Sequence, residues 1–324
     1  MGAFAVREES HDLIERLQSG RRLPVIDSSC PAAVKYIEQA YPELIYHLTT
    51  CRSPQQIGGA LYKSYGAKMW GVGPGSIYSV SVGPCTSRKL EAGRNTPRAS
   101  LPASAGGAPL AALPDGKADL QGKSREVDAV LTTRELAYLL KDAGVDPFAA
   151  SSEEFDQDLL DRSWLSHVYC STGDIAQAVL ETCCELLNRE VRSPLNLASA
   201  DAGADGARVT SVETDGYEIK ALSVSGVGSA IPFLDAIKAG KIGFAFMEVR
   251  ACPAGCVSGG GQPKVLLPKD KPRAYIERAT VTSLTSAGDR VEITEDSTVQ
   301  RLYVKHFGMP CGDKSNRILH TPWE

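Results

Sequence analysis

Two cysteines stand four residues apart in Cys252-Pro-Ala-Gly-Cys256, and the stretch Val-Ser-Gly-Gly-Gly-Gln-Pro follows them directly. Two thiolates at this spacing can ligate one metal centre. Glycines, which have no Cβ, let a backbone pass close to a bulky inorganic group, so Gly259 is a candidate cofactor contact. The apolar run IGFAFMEV before Cys252 predicts a strand, which places both thiols at a strand end.

Two further cysteines occupy strand-to-helix junctions. The short apolar run LPVID predicts a buried strand, and Cys30 follows it just before Pro31, a residue suited to the first turn of a helix. The alternating run SIYSVSV predicts another strand, and Cys85 follows that one. Ligands of open α/β folds bind at the carboxyl ends of the strands. We therefore expect both thiols at the carboxyl edge of a sheet.

The remaining pattern alternates strands with helices, which predicts an α/β fold of two sheet-and-helix lobes around a central cleft. We place lobe one at about residues 1–94 and lobe two at about 125–240. A stretch rich in Pro, Ala, Gly and Ser at 95–124 predicts a flexible insertion. The cysteine loop and a C-terminal tail fill 241–324.

Composition narrows the possible partners and compartments. The 324 residues are 43% hydrophobic with a net charge of −4 and no basic run, which argues against a nucleic-acid partner. No stretch approaches the roughly 18 apolar residues of a membrane span. Nine cysteines, odd in number and unevenly spaced, fit a disulfide scaffold poorly. We expect a cytoplasmic protein, with an organelle left open.

Several blocks of the sequence resemble, in order, the signature blocks of the [FeFe]-hydrogenase catalytic domain. They are SSCPAAVKYIEQAYPEL, CRSPQQIGGALYKSYGAK, VGPCTSRKLEAGR, VDAVLTTRELAYLLKDAG and ACPAGCVSGGGQP, and STVQRLYVKHFG with RILHT resembles the family's C-terminal tail. The similarity covers most of the chain apart from the insertion and residues 196–217.

The resemblance implies a [4Fe–4S] cubane whose ligands are Cys30, Cys85, Cys252 and Cys256. It further implies that Cys256 bridges to a di-iron subcluster with carbon monoxide, cyanide and dithiolate ligands. A cubane takes four thiolates, and these four cysteines are the ones at strand–helix junctions or glycine turns. The other cysteines are predicted to be structural or incidental: Cys51, Cys170, Cys183, Cys184 and Cys311.

The family's proton route maps onto the first predicted helix. Glu9, Asp12 and Arg16 take its helix positions on one shared face, and Thr49 takes its hydroxyl position. Without the resemblance, an ordinary solvated acidic helix face would explain the same residues.

The sequence also departs from the family's pattern. Ser29 stands where the family has a proton-donating cysteine, and a hydroxyl is far less acidic than a thiol, so proton relay should be slower. Gly83 and Arg250 replace two methionines beside the di-iron site, and Arg88 replaces a lysine. Gln55, in the SPQQIGG block, is a further candidate cofactor contact.

Three functions remain open at this point. The first is an iron–sulfur oxidoreductase that reversibly oxidises hydrogen, weakly, with a ferredoxin or another electron carrier as partner. The second is a non-catalytic [4Fe–4S] protein that serves as a sensor, electron-transfer subunit or iron–sulfur assembly subunit. The third, least favoured, is a cluster-free scaffold. The family has an N-terminal βα segment that the resemblance does not cover, and we expect that a partner subunit could supply it.

Overall fold

The computed structural model describes residues 1–94, 125–153, 165, 168–187, 200–201, 206–214, 217–285, 297–321 and 323. The predicted flexible insertion at 95–124 lies outside these described residues. Within the described ranges, no helix combines the length and the apolar character that a membrane crossing requires.

Two separate sheets carry the strands of the described chain. Their strands are β1 Val25–Ile26, β2 Val80–Gly83, β3 Ala129–Thr132, β4 Ala200–Asp201, β5 Ala207–Thr214, β6 Tyr217–Ser225 and β7 Phe246–Arg250. The larger sheet has the order β1-β7-β6-β5-β4, and β2 pairs with β3 in the smaller one. Strands β1, β7 and β6 are mutually parallel, whereas β5 is antiparallel to both of its neighbours.

Helices surround these sheets and confirm the predicted α/β class. They are α1 Gly2–Ser19, α2 Pro31–Ala40, α3 Pro54–Leu61, α4 Ala67–Trp70, α5 Ser87–Ala92, α6 Thr133–Asp142, α7 Asp174–Leu186, α8 Val227–Lys238, α9 Lys271–Thr285, α10 Ser297–Leu302 and α11 Asp313–Leu319. Start signals in the sequence explain several of them. The Ser53 side chain accepts a hydrogen bond from the Gln56 amide at the start of α3, and Thr132 with Glu135 forms a capping box on α6.

The larger sheet buries both of its faces. Phe246 packs with Leu13 of α1 and Val179 of α7, whereas its neighbour Met247 packs with Ile37 of α2 on the opposite face. Successive strand residues point to opposite faces, so a strand covered on both sides is apolar throughout. This two-sided burial fixes α1 and α2 on either side of β1.

The strand pairing differs from one part of the sequence-based picture. Cys30 and Cys85 follow strands of two different sheets, not one sheet edge, because β1 pairs with β7 while β2 pairs with β3. Residues 168–173, which lead into α7, form turns and bends. The division into lobes stays a prediction.

Candidate metal centre

Backbone elements bring three of the four predicted ligand segments to one place. The strands β1 and β7 are parallel neighbours, so the segments after them leave from the same sheet edge. Cys30 is the N-cap residue of α2, and Cys252 comes two residues after β7. Cys256 begins a 3₁₀ turn in the same loop.

The Cys85 segment joins them through a backbone contact with the glycine loop. The Gly261 amide donates a hydrogen bond to the Pro84 carbonyl oxygen at 2.8 Å. A Cβ built on Gly259 would lie only 2.4 Å from that oxygen. Close approach of the Pro84 backbone therefore explains the glycine at position 259, a reason that the sequence alone did not reveal.

The thiols of Cys30 and Cys85 act on the ionisation of the two cysteines in the glycine loop. Burial, followed by the nearby thiols of Cys30, Cys85 and Cys256, raises the pKa of Cys252 to about 11. Burial also raises the pKa of Cys256, against the opposing effect of nearby arginines. The four side chains thus lie close enough to repel one another as thiolates, which is an arrangement that a bound cation relieves.

A fifth cysteine lies near this group, and the sequence did not single it out. Burial and the neighbouring Cys256 raise the pKa of Cys170 to about 11. Its carbonyl accepts a hydrogen bond from the Val257 amide at 3.1 Å. An open cavity of about 470 Å³ is lined by both thiols together with Pro84 and Arg278. No spacing signal links position 170 to 256, so only the fold could reveal this neighbour.

Arg88 places a cation beside two of the thiols. Burial alone would lower its pKa, but Glu91, Cys256 and Cys85 nearby raise it overall. Its Nη1 donates to Glu91 Oε2 at 2.8 Å. Gln55, predicted as a cofactor contact, donates from Nε2 to the Arg88 carbonyl and to Glu91 Oε2, both at 3.1 Å. Gln55 therefore bridges Arg88 and Glu91 and helps to fix the position of this ion pair.

Ser29 and Arg250 belong to one buried ionic network. The Ser29 hydroxyl donates to Asp27 Oδ2 at 2.8 Å and accepts from Arg250 Nη1 at 2.8 Å. The Arg250 Nε donates to Glu248 Oε1 at 3.0 Å. Burial would lower the pKa of Arg250, yet the two carboxylates hold it well above the usual value.

One guanidinium nitrogen of Arg250 takes no part in this network. Among the described residues, Arg250 Nη2 is buried without a hydrogen-bond partner, and so is the Tyr169 hydroxyl. The guanidinium carbon lies 5.8 Å from the centre of the Tyr169 ring. A buried unpaired donor carries a desolvation penalty, so this position suits an acceptor that the protein itself does not supply.

Helix α1 contributes the predicted acidic residues on one face. Asp12 accepts two hydrogen bonds from the Arg16 guanidinium, at 2.7 and 2.9 Å. Glu9 is fully buried, and burial, followed by the charge of Asp27, raises its pKa well above the ordinary value. A solvated helix face is thereby excluded for Glu9, because its side chain has no access to water.

Thr49 and Gly83 are the two remaining positions that the sequence predicted for the site. Thr49 is fully buried, and its hydroxyl accepts a hydrogen bond from the Cys51 amide at 3.2 Å. Gly83 ends strand β2, and a Cβ there would meet nothing within 4 Å. The space at Gly83 remains open.

Sequence reasoning missed both carboxylates of the ionic network. Asp27 directly follows β1, and Glu248 lies within the apolar strand β7. A charged residue inside a strand buried on both faces is a signal that could have drawn attention to Glu248, since such residues are rarely buried unpaired. Its second oxygen accepts hydrogen bonds from the Gly173 and Ala176 amides at the start of α7.

Comparison with known proteins agrees with this architecture. Residues 2–260 match the family model described as the iron only hydrogenase large subunit, C-terminal domain. The chain is 29% identical to iron hydrogenase 1 of Clostridium pasteurianum over 99% of this chain and 52% of that protein. It is 34% identical to the periplasmic [Fe] hydrogenase large subunit of Nitratidesulfovibrio vulgaris over 79% of this chain and 56% of that one. The chain thus spans about half the length of these two relatives.

A second kind of relative matches at similar identity. The cytosolic Fe-S cluster assembly factor narfl of Danio rerio is 28% identical over 99% of this chain and 74% of its own length. Among solved structures, a variant of [FeFe]-hydrogenase HydA1 from Chlamydomonas reinhardtii superposes with a TM-score of 0.77, 25% identity, and coverage of 99% and 82% of the two chains.

Taken together, the fold and these similarities define a protein of the hydrogenase-like iron–sulfur class. Within that class, the chain belongs to the iron-only hydrogenase large-subunit family.

Proposed function

We propose that the protein holds a [4Fe–4S] cluster on Cys30, Cys85, Cys252 and Cys256. The observation that carries this proposal is the convergence of the four cysteine segments, which brings Cys30, Cys85 and Cys256 near enough to act on the Cys252 thiol. Four thiolates are the donor set of a cubane, and they come from loops whose backbones already contact each other through Pro84. A cluster bound there supplies one-electron transfer.

On this basis the protein acts as an iron–sulfur oxidoreductase of the iron-only hydrogenase type, with weak hydrogen turnover and a ferredoxin or similar carrier as electron partner. The donors beside Cys256 fit the anionic ligands of a di-iron unit, because Arg88 is a cation next to that thiol and Arg250 Nη2 is an unpaired buried donor. A Cβ at Gly83, two residues before Cys85, would meet nothing within 4 Å, which leaves room at this strand end.

Proton delivery is the weak point of that function. The Ser29 hydroxyl is already held between Asp27 and Arg250. A serine fixed in this way, and less acidic than a thiol, is a poor proton donor. Glu9 keeps its proton to higher pH than an ordinary carboxyl group and can store one near Asp27, but the transfer through Ser29 is expected to be slow.

The same network favours a second candidate function, a non-catalytic [4Fe–4S] protein that senses, carries electrons or serves in iron–sulfur assembly. In this case Arg250 acts as a fixed counter-charge to the cluster, since Cys256 and Cys30 are among the groups that raise its pKa. The resemblance to an assembly factor at 28% identity supports this candidate.

Infrared spectroscopy separates the two functions. The protein is produced together with the hydrogenase maturation machinery, and its iron and sulfide are measured on the same sample. Bands from carbon monoxide and cyanide ligands are expected for the hydrogenase-type function. About four irons and four sulfides without those bands would favour the non-catalytic function, and absence of iron would contradict both.

A Ser29→Cys variant tests the account of proton delivery. In protein that shows the carbon monoxide and cyanide bands, hydrogen evolution should rise by about tenfold or more, because a thiol is a better general acid near neutral pH. Ser29→Ala is the matched control and should lower it. If Ser29→Cys protein that carries the bands evolves hydrogen no faster than the parent, proton transfer at Ser29 does not limit the rate.

A further inference from the structure

Three metal-ligating side chains outside the cysteine loop meet where the C-terminal segment lies on α1. One ligand atom from each of Glu8, Cys311 and His320 lies within 4.8 Å of the other two. Glu8 and His320 are buried, whereas Cys311 is half-buried and gives the site access to solvent. A thiolate, an imidazole and a carboxylate are ligands that Zn²⁺ takes in proteins.

The imidazole is oriented as a metal ligand would be. His320 Nε2 lies 3.0 Å from Glu8 Oε2, and Nδ1 lies 2.8 Å from Thr50 Oγ1. Histidine ligands of metals are usually fixed by a hydrogen bond to the other ring nitrogen. A threonine hydroxyl can donate or accept, so Thr50 permits the tautomer that leaves Nε2 free for a cation.

The carboxylate brings a buried negative charge. Burial would raise the pKa of Glu8, but hydrogen bonds and the charge of His320, together with the Tyr303 hydroxyl, lower it overall. Tyr303 donates to Oε1 at 2.5 Å, and the Cys311 amide donates to Oε2 at 2.6 Å. The hydrogen bond to Oε1 can persist while Oε2 binds a cation.

We propose that Glu8, Cys311 and His320 form a Zn²⁺ site that fastens the C-terminal segment to α1. The zinc ion replaces the proton of the Cys311 thiol, so that an S–H bond breaks, a Zn–S bond forms and one proton leaves to solvent. The Nε2 proton of His320 also leaves to solvent, while Nδ1 keeps the proton that Thr50 Oγ1 accepts, and no group is oxidised or reduced. Solvent completes the tetrahedral coordination.

A second thiol lies close to this site. Cys51 forms an isolated antiparallel bridge with His320. Burial, and then the charges of Glu9, Glu8 and Cys311, raise the pKa of Cys51 well above the ordinary value. The number of sulfur ligands on the bound zinc therefore reports whether Cys51 replaces solvent in the fourth position.

Metal counting and zinc X-ray absorption test the proposal on protein that carries its iron. After addition of Zn²⁺ and removal of the excess, we expect one zinc per chain with the iron content unchanged. The zinc edge should show one or two sulfur ligands at about 2.3 Å and lighter atoms at about 2.0 Å. Zinc bound by four sulfurs would be seated among the loop cysteines and would overturn the proposal.

Two variants assign the ligands. Cys311→Gly removes the thiol and also relieves a backbone φ of 53° that suits glycine, so the variant should fold. His320→Gln keeps a hydrogen bonding group beside Glu8. Each should weaken Zn²⁺ binding about tenfold or more.

Two further variants serve as controls. Cys183→Ala removes a buried thiol of α7 and should leave zinc unchanged, whereas Cys85→Ala should lower iron and leave zinc unchanged. If the parent protein retained no zinc, or if Cys311→Gly and His320→Gln retained as much zinc as the parent, the three residues would form only a hydrogen-bonded tie. Iron content is measured separately, so this failure is distinct from a failure of the proposed cluster.

Discussion

The two sides of the candidate centre are built in different ways. On one side, four thiols are carried by loops whose backbones meet at the Pro84 carbonyl. On the other side, Arg250, Asp27 and Glu248 are fully buried, and Arg250 is held by ion pairs with the two carboxylates and by a hydrogen bond to Ser29. Removing a thiol should therefore lower the iron that the protein binds, whereas removing a buried charged side chain should lower its free energy of unfolding.

Loss of one thiol is the largest effect that we expect. Cys252→Ser should lower retained iron about tenfold or more, because a hydroxyl is a poor ligand for an iron–sulfur cluster. Iron and sulfide analysis of purified protein measures this. Cys170→Ala is the matched control, a neighbouring thiol outside the proposed set that should retain iron. If Cys252→Ser and Cys170→Ala lost equal amounts of iron, Cys170 would be a fifth ligand beside the four proposed cysteines.

Loss of the buried arginine should act on folding instead. Arg250→Met leaves Asp27 and Glu248 without their cation, and breaking a buried ion pair in this way costs about 3–5 kcal/mol of unfolding free energy. Urea denaturation of the apoprotein measures it. An Arg250→Met, Glu248→Gln double variant should recover part of the loss, since one buried carboxylate is removed. No difference between the single variant and the parent would contradict the ionic network.

The backbone contact on the thiol side predicts an intermediate effect. Gly259→Ala puts a Cβ 2.4 Å from the Pro84 oxygen. The required shift should cost about 1–3 kcal/mol and should also lower iron retention. Gly260→Ala is the control, because its Cβ would meet Thr86 Oγ1 at an ordinary 3.5 Å. Identical unfolding midpoints for the two variants would argue against the tight contact.

Glu9 gives a pH test of the charged side. Its pKa in the folded protein is raised by burial and by Asp27, so its favourable contribution is fully present below about pH 4.5 and is lost as the pH rises through the folded value. The parent protein should therefore lose stability relative to Glu9→Gln between pH 4.5 and 8. Denaturation curves across this range measure the difference, and parallel curves would contradict the raised pKa.

An exposed ion pair should give the smallest effect. Arg273 and Glu277 form an i, i+4 pair on α9 with their side chains 85% and 60% exposed. Water screens such pairs, so Arg273→Ala should leave the unfolding midpoint unchanged. A loss comparable to that of Arg250→Met would mean that burial does not distinguish the two arginines.

Local signals in the sequence predicted much of the fold. Prolines after capping positions marked the starts of α2 and α3, and alternation of apolar residues marked β2. Which sheet each strand joins could not be predicted, because β1 and β7 are more than 200 residues apart and no local pattern records their pairing. For this reason Cys30 and Cys85 were assigned to a common sheet edge, although they follow different sheets.

The candidate site was predictable to the extent that it has motifs. The spacing and resemblance indicated the four cysteines, and the helix spacing indicated that Asp12 and Arg16 share a face, which their contact agrees with. Asp27, Glu248 and Cys170 were not predicted, since their importance comes from neighbours brought near by tertiary packing. The ligand assignments themselves stay predictions until iron is measured.

The pairing of β1 with β7 has a consequence for biosynthesis. Val25 and Ile26 have their partners at Phe246 and Met247, so a ribosome must add more than 200 residues after β1 before that strand can pair with β7. Contacts between such distant segments form slowly. Until β7 has been synthesised, the apolar residues of β1 lack the neighbouring strand that covers them in the folded protein.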